Sequence, residues 1–452
     1  MYRMSSNIRT ALKYCLVLLT LCILPARAEN LASKSPDSLS LSECYREALA
    51  TSEQIKRTEV DVQIAEEQYK QAVALLYPSI FFSSTQRLRG NSQFGSLNRT
   101  SSSSDDTFDN TSSTSSSSRL GRNQIEGLFT VRQPLFNGFR DFFIKGALKA
   151  GQSALSLERD RAREALYLDV ADLYFQVRMY SAELLLLNET ESTLRSRVEE
   201  LVKFISLGKS KESEQLAAEA DLSQLRASRE QVQGILNASQ ELLAFLINRP
   251  ADSFSLVAKQ ADVPQITPLD HYILRGKLRA DLKASEQRLA AAELQAKAAQ
   301  RARWPSLDLE ANGYAFEDPD RNRDWELALR LEIPLYEGGA LDSRIAEEKL
   351  KESRARLSLG EHQRSVERDI RIAYSNLTAA NKQLEKLRRA ADAAQRSYVS
   401  QKDDYALGRV TNLEVLQAIR QSLEARRAVL EAETTVSRDR VNLEVTAGGI
   451  DQ

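Results

Sequence analysis

The sequence contains few of the residues that build disulfide scaffolds, metal sites and membrane-spanning helices. Three cysteines and two histidines occur among 452 residues, and His271 and His362 lie in no metal-binding spacing. Beyond residue 28 no run of 18 apolar residues occurs, so the pattern predicts no transmembrane helix there. Lys plus Arg (62) and Asp plus Glu (63) almost balance. This balance favours no polyanion, and we expect no nucleic-acid partner.

Motifs of catalytic chemistry are missing as well. The sequence has no GxxxxGK[ST] phosphate loop, no HExxH zinc motif and no GxSxG nucleophile elbow. We therefore expect no enzyme activity, no metal and no cofactor. Any transport would be passive, with its energy supplied by partners.

The first 28 residues predict export. Arg3, Arg9 and Lys13 precede a short apolar run, and small residues follow at Ala26–Ala28. A basic head, an apolar middle and a small-x-small exit are typical of a secretory signal peptide, here residues 1–28. The alternative is a membrane anchor, for which the run is short. After cleavage Cys44 would be the only cysteine left, so no intrachain disulfide could form.

A repeat organises the rest of the chain. The stretch "QPLFNGF" at Gln133–Phe139 is matched by "IPLYEGG" at Ile333–Gly339, 200 positions later, and a Leu-Gly break recurs at the same offset. These matches predict a duplicated helix–strand–strand–helix unit, first at 29–248 and again at 268–452, with a linker at 249–267. The first copy carries extra length, a serine-rich tract at 91–122 whose composition cannot bury a core.

Each copy is predicted in the same order. The elements are a first helix (42–76; 269–303), two strands (79–90 and 123–134; 305–315 and 324–334), a long helix (138–207; 338–407) and a last helix (211–248; 412–446). Pro134 and Pro334 should end the second strands, where a lost hydrogen-bond donor is tolerable. Gly138 and Gly338 should let the chain turn into the long helices.

The strand segments alternate between apolar and charged residues. In "DWELALRLEIP" the residues Trp325, Leu327, Leu329, Leu331 and Ile333 share one face. A half-buried soluble sheet gives this pattern, and so does a membrane barrel with a charged lumen. Strands of 9–11 residues are long enough to cross a bilayer, and nothing obvious is left to cover the sheet. Because bacterial barrels need at least about 8 strands, four per chain implies sharing: two chains give 8, and three give 12 with room for a channel.

The long helices carry a heptad pattern. Leu166, Leu173, Tyr180, Leu187, Leu194 and Leu201 recur every seven residues, and Ile370, Leu377 and Leu384 begin a matching row in the second copy. This spacing is typical of coiled coils. A helix of about 70 residues spans roughly 100 Å, far more than a globular domain needs. An exported sheet joined to such a shaft suggests a tunnel.

With these residues in view, the chain resembles the TolC-like outer-membrane efflux protein family. The likeness rests on the duplicated order, on the two Pro-Leu-aromatic-x-Gly turns, and on the stretches Arg279–Tyr314 and Tyr405–Ala418. It implies a mainly α fold with membrane β: a homotrimer with a 12-strand β-barrel in the outer membrane, mounted on a periplasmic α-helical barrel. It also implies an exit duct for an inner-membrane pump or secretion ATPase, bridged by a periplasmic adaptor.

The resemblance also assigns site residues. Tyr405 and Gly408 match the family's stretch at the periplasmic tip, where inner helices close the tunnel, so the resemblance implies that Tyr405 is a gate residue. An acidic constriction residue falls on Glu414. A second acidic position falls on Gln417, a departure that puts a doubled acidic ring in doubt. Three copies of Glu414 around an axis would attract cations and raise their own pKa; alternatively, Glu414 is a solvated charge near a helix start.

The two Leu-Gly tips would dock the adaptor, or else be simple turns. They comprise Leu207, Gly208, Lys209 and Ser210 in the first copy and Leu407, Gly408, Arg409 and Val410 in the second. A second function remains open at this point. A soluble periplasmic coiled-coil adaptor or scaffold would show the same helices, with the strands forming a water-soluble sheet.

Overall fold

The computed structural model describes residues 37–88, 123–257, 266–316 and 324–449. The predicted signal peptide and the serine-rich tract lie outside the described residues. The elements, in chain order, are β1 (Asp37–Leu39), α1 (Leu41–Thr51), α2 (Glu53–Ala74), β2 (Ser79–Leu88), β3 (Asn123–Asn137), α3 (Arg140–Ser206), α4 (Glu212–Ile247), β4 (Phe254–Leu256), α5 (Leu269–Gly276), α6 (Ala280–Arg301), β5 (Ser306–Phe316), β6 (Trp325–Glu332), α7 (Ala340–Ala406) and α8 (Asn412–Thr446).

The two long helices dominate the molecule. α3 and α7 each contain 67 residues, which at 1.5 Å per residue makes each about 100 Å long. The heptad residues Leu187, Leu201, Ile370 and Leu384 are almost fully buried. No helix in the described ranges is both long enough and apolar enough to cross a membrane. The burial of the heptad residues shows that the long helices are stabilised by packing against neighbouring helices, as the heptad spacing requires.

The first helix of each repeat is broken, contrary to the single helices predicted. In the first repeat Ser52 separates α1 from α2, and its hydroxyl accepts a hydrogen bond from the backbone N–H of Ile55 at 3.4 Å. In the second repeat α5 ends at Gly276. Arg279, at φ −53° and ψ 141°, is the residue before α6. A helix that restarts after so short a break keeps nearly the same apolar spacing, so the spacing alone does not reveal either break.

The four long strands form one antiparallel sheet in the order β2-β3-β5-β6. Its register places Ile80, Val131, Ala311 and Leu327 in one row and Phe82 and Phe129 in the next. Residues predicted from the sequence to share a face therefore share a face of the sheet. Leu327, Leu329 and Leu331 are each at least 60% exposed on that face. Most of this face of the sheet is apolar, with Ser84 and Gln86 as polar positions on β2, and no described residue covers the β6 leucines.

The turns into α3 and α7 differ between the repeats. β6 ends at Glu332, before Pro334, whereas β3 continues through Pro134 to Asn137. The prediction that proline ends the strand is therefore wrong in the first repeat. Pro134 is accommodated by a register shift against β5 between Pro134 and Phe136, because a bulge removes the need for a ladder donor.

Glycine makes both turns possible. Gly138 has φ +57° and Gly338 has φ +63°, the left-handed region that glycine tolerates. A Cβ on Gly138 would lie 2.7 Å from the Cβ of Trp304, while none of the described atoms lies within 4 Å of the same position on Gly338. Close packing as well as backbone geometry therefore selects glycine at position 138.

A small parallel pair of strands was not predicted. β1 pairs with β4, Leu39 opposite Leu256, so the linker between the repeats returns to the start of the described chain. Leu39 and Phe254 then join α1, α3 and α4 in one apolar core. Strands of three residues are too short to give an alternation signal, which is why the sequence pattern does not reveal them.

Candidate functional site

The two hairpin tips at the far end of the shaft have the same backbone geometry. At each tip a leucine is followed by a glycine with positive φ, +70° at Gly208 and +72° at Gly408. Lys209 N–H donates to Phe204 O at 2.8 Å, and Arg409 N–H donates to Asp404 O at 2.9 Å. With the matching bonds from the two glycines, both tips form a Schellman motif, which satisfies the last carbonyls of a helix.

The helices that leave the tips start differently. Thr411 and Glu414 form a capping box: Thr411 N–H and Oγ1–H donate to Glu414 Oε2 at 2.6 and 2.9 Å. At the equivalent positions of the first repeat, Lys211 makes no side-chain cap. Glu214 instead accepts from Ser210 Oγ at 2.7 Å and from Tyr405 Oη at 3.3 Å. The repeat thus supplies two carboxylates 200 positions apart, and only Glu214 faces the other hairpin.

A polar cluster, Arg197, Glu214, Tyr405 and Asn412, joins the two hairpins; Arg197 and Asn412 are buried, and Glu214 and Tyr405 are half-buried. Arg197 is only 5% exposed, and its Nε–H donates to Asn412 Oδ1 at 2.9 Å. Asn412 is 1% exposed, and its Nδ2–H donates to the backbone oxygen of Glu214 at 3.1 Å. Because buried polar groups need partners, each of these side chains fixes the others.

The Arg197 guanidinium also contacts aromatic and acidic neighbours. It lies 3.7 Å from the centre of the Tyr405 ring, and its Nη1 is 3.1 Å from Glu200 Oε2. A cation over an aromatic face is attracted to it, most strongly where water is excluded. The hairpins are therefore tied by hydrogen bonds and by the stacking of Arg197 on Tyr405, while the ion pair with Glu200 holds Arg197 on its own helix. Around this point lies an apolar cluster that includes Leu201, Leu222, Val415 and Leu416.

Two acid groups near the tips have shifted pKa values. Burial raises the pKa of Tyr405, with Glu214 adding to the shift and Arg197 opposing it, so the phenol remains a donor at neutral pH. The backbone N–H and the hydroxyl of Thr411 lower the pKa of Glu414. Within one chain Glu414 is therefore ionised and held by its own cap, consistent with the reading as a charge near a helix start.

The predicted site residues fall into two groups. Tyr405 belongs to the polar cluster, and Ser210 donates a hydrogen bond to its Glu214. Glu414 and Gln417 instead lie one turn apart on an exposed face of α8. Leu207 and Leu407 are 65% and 64% exposed at the two tips. Exposed leucines at adjacent hairpin ends form an apolar patch of the kind that protein partners cover.

Arg197, Glu214 and Asn412 were not predicted. The repeat does contain a signal for Glu214, because it stands 200 positions before Glu414. Nothing in the local sequence distinguishes Arg197 from the many solvated arginines of a coiled-coil helix. Its role depends on a contact across 215 positions, which only the fold brings together.

The second face of the sheet is polar and internally paired. Thr130 Oγ1 is 2.8 Å from Asn312 Oδ1, and Arg132 Nη2 is 3.3 Å from Asp308 Oδ2. Arg330 lies 3.4 Å from the Glu310 carboxylate on the same face. Charged and hydrogen-bonding groups thus dominate one side, which also includes Phe81 and Leu128, while apolar side chains dominate the other. This arrangement suits a polar lumen facing away from lipid.

Known proteins resemble this chain in both sequence and fold. A family model described as "Outer membrane efflux protein" matches residues 277–449. TolC of Salmonella enteritidis is 23% identical over 31% of this chain and 28% of TolC. The probable efflux pump outer membrane protein TtgC of Pseudomonas putida is 26% identical over 67% of this chain and 64% of TtgC. The crystal structure of the outer membrane protein VceC of Vibrio cholerae matches with a TM-score of 0.74 and 18% identity, covering 90% of this chain and 96% of VceC.

The chain is similar to the outer membrane efflux protein family: the family model matches residues 277–449, and the fold matches that of VceC over 90% of the chain. The sequence alignments span less than two thirds of TolC and of TtgC, while the shared fold extends over nearly all of VceC. Outer membrane efflux proteins are transport conduits rather than enzymes, and they lie in the outer membrane, both as the sequence predicts. The predicted resemblance and mainly α fold with membrane strands are confirmed.

Proposed function

We propose that three copies of this chain form an exit duct through the outer membrane, which passively conducts substrates delivered by an inner-membrane pump or a type I secretion ATPase. One observation carries the proposal: the four-stranded sheet has an exposed apolar face, a paired polar face and two open edges. In the described chain neither β2 nor β6 has a strand on its outer side. Open edges are not tolerated in hydrocarbon, because their backbone groups would have no partner.

Closure of the sheet supports a trimer. Joining β6 of one copy to β2 of the next gives 12 strands from three copies, enough for an open lumen, whereas two copies would give 8 and a filled interior. The similarity to outer membrane efflux proteins also favours a trimer in general terms. The long helices continue from the strands, so the same closure would make the shaft a hollow helical barrel about 100 Å long.

The hairpin tips are proposed as the end that meets a periplasmic adaptor. Gly208 and Gly408 expose backbone, and Leu207 and Leu407 expose apolar side chains. The constriction is proposed at the exposed face of α8, where Glu414 and Gln417 would point toward the axis. Three Glu414 carboxylates brought together there would attract cations.

A matched pair of substitutions on β6 tests the duct. Leu329 lies on the apolar face and is 63% exposed, while its neighbour Ala328 lies in the polar rows opposite Glu310. A lysine on the lipid face costs roughly 2–4 kcal/mol near the bilayer midplane. Leu329→Lys should therefore reduce the amount of trimer in outer-membrane fractions, and Ala328→Lys should reduce it much less. The measurements are membrane fractionation and native mass spectrometry.

The rival function, a soluble periplasmic adaptor or scaffold, makes the opposite prediction. An exposed leucine of a soluble sheet accepts lysine at little cost, because the side chain already faces water. Recovery of the wild-type protein as a monomer from a detergent-free periplasmic extract, with both variants behaving alike, would reject the duct.

A further inference from the structure

A basic cleft lies where the shaft meets the sheet. It has a volume of about 730 Å³ and is bounded by the start of α3, the end of α6 and the first turns of α7. Four cationic side chains line it: Lys297, Arg301, Arg303 and Lys349. The spacing 297 to 301 places two of them on one face of α6. None of the residues that line the cleft is acidic.

The register of the sheet shows on which side the cleft opens. Phe136 pairs with Leu307, and Leu307 pairs with Leu331, so all three lie on the apolar face. The Trp304 ring, which lines the cleft, is 6.4 Å from the Phe136 ring. The cleft is therefore continuous with the apolar outer face and lies at its shaft end. It does not open beside the polar face.

The positive charge of the cleft is only partly compensated. Arg303 forms an ion pair with Asp342 of α7, but Lys297, Arg301 and Lys349 form no ion pair with any of the residues that the structure describes. The Arg301 guanidinium instead lies 4.6 Å from the centre of the Trp304 ring. This contact orients the guanidinium while its donors stay available.

We propose that this cleft binds the phosphate of an anionic phospholipid in the membrane leaflet nearest the shaft. A guanidinium flanked by two ammonium groups matches a phosphate by charge and, for arginine, by bidentate geometry. The adjoining apolar face would receive the acyl chains, and this continuity selects a lipid over free phosphate. Aromatic residues occupy the boundary, as they do at membrane–water interfaces: Trp304, Tyr336 and Phe139 are 46%, 87% and 54% exposed. The inference rests on the outer-membrane location but not on conduction.

The test uses the purified full-length oligomer in neutral detergent. Native mass spectrometry would measure binding of phosphatidylglycerol, with zwitterionic phosphatidylcholine as the comparison lipid. Each basic residue near such a headgroup contributes roughly fivefold in affinity. Arg301→Gln and Lys349→Gln should each weaken phosphatidylglycerol binding by about that factor, and together by more than tenfold. The matched control is Lys351→Gln, two residues along α7, because Lys351 is already paired with Glu347 and Glu348.

Three outcomes would overturn the proposal. One is equal binding of the two lipids by the wild-type oligomer. Another is an affinity for phosphatidylglycerol that Lys351→Gln lowers as much as Arg301→Gln does. Displacement of the lipid by millimolar inorganic phosphate alone would show an ion site without acyl-chain recognition and would also count against it. Conductance in planar bilayers is a separate measurement, so loss of lipid binding in a conducting channel would reject this inference and leave the duct standing.

Discussion

The hydroxyl of Tyr405 offers the most direct test of the tie between the two hairpins. It donates to Glu214 Oε2 at 3.3 Å, joining the end of α7 to the start of α4. Tyr405→Phe removes this hydrogen bond and keeps the aromatic ring. The stacking of Arg197 at 3.7 Å and the contact with Phe204 therefore remain. In the proposed duct the α7–α8 hairpin must move away from its neighbour for the tip to widen.

The magnitude follows from the length and charge of the bond. A neutral hydrogen bond contributes about 0.5–1.5 kcal/mol net, and one to a charged group about 1.5–3. At 3.3 Å the bond is long, so about 1 kcal/mol per chain is expected. Three chains that open together would lose about 3 kcal/mol, and each 1.4 kcal/mol is a factor of ten in an equilibrium. The equilibrium constant between open and closed channels should therefore rise roughly a hundredfold.

Single-channel recording of the reconstituted protein in planar bilayers measures the open fraction and the conductance. The matched control is Tyr398→Phe, one heptad earlier on α7, because the Tyr398 hydroxyl makes no hydrogen bond with the described residues. Tyr405→Phe should conduct more often than the wild type, and Tyr398→Phe should behave like the wild type. If both variants match the wild type, the hydrogen bond does not hold the tip closed and the reasoning fails.

The same bond predicts a pH dependence. Burial raises the pKa of Tyr405 above its usual value of 10.0. A group whose pKa is raised by folding contributes its stability below the unfolded pKa and loses it as the pH rises through the folded one. The wild-type open fraction should therefore be constant through neutral pH and increase only above pH 10. In Tyr405→Phe this alkaline increase should be absent.

Two further predictions use matched positions. Thr411 lowers the pKa of each Glu414, whereas neighbouring carboxylates in a ring of three raise it. Cation block at the tip should therefore persist at neutral pH and fade as Glu414 is protonated in acid. Glu414→Gln should weaken the block and Gln417→Glu should strengthen it, and unchanged block in both would remove the acidic constriction. Both glycine turns have positive φ, but of the two only Gly138 is crowded. Gly138→Ala should therefore cost the oligomer backbone strain of about 1–3 kcal/mol plus a steric term, and Gly338→Ala the strain alone. The thermal midpoint should fall further in Gly138→Ala, and equal midpoints would contradict the crowding.

The large elements could be predicted because their signals are periodic. Rows such as Leu187, Leu194 and Leu201 encode a buried helix stripe, and all three are at most 3% exposed. The alternation of β6 was visible because its apolar side chains are not covered by this chain. The breaks at Ser52 and Gly276 were missed because a helix restart leaves the apolar spacing nearly unchanged.

The hairpin tie could not be predicted, for a physical reason. Tyr405 was found through a family motif, whereas Arg197 and Asn412 are defined by contacts across the fold. A buried arginine differs from a solvated one only in what surrounds it, and local sequence contains no record of that. The repeat offset was informative at Glu214 but gave no hint that its role would differ from that of Glu414.

In the proposed duct, that difference would give the two copies of one duplicated unit separate roles at the same end of the shaft. Glu214 and Glu414 occupy equivalent third positions of α4 and α8, where an acid is favoured by the helix dipole. In the second repeat Thr411 supplies the cap and engages Glu414, leaving its charge on the exposed face. In the first repeat Lys211 makes no side-chain cap, so Glu214 turns to Ser210 and Tyr405 instead. Two changes between the repeats, Lys211 for Thr411 and Ser210 for Val410, thus separate a carboxylate that bonds to the other hairpin from one that stays on the exposed face.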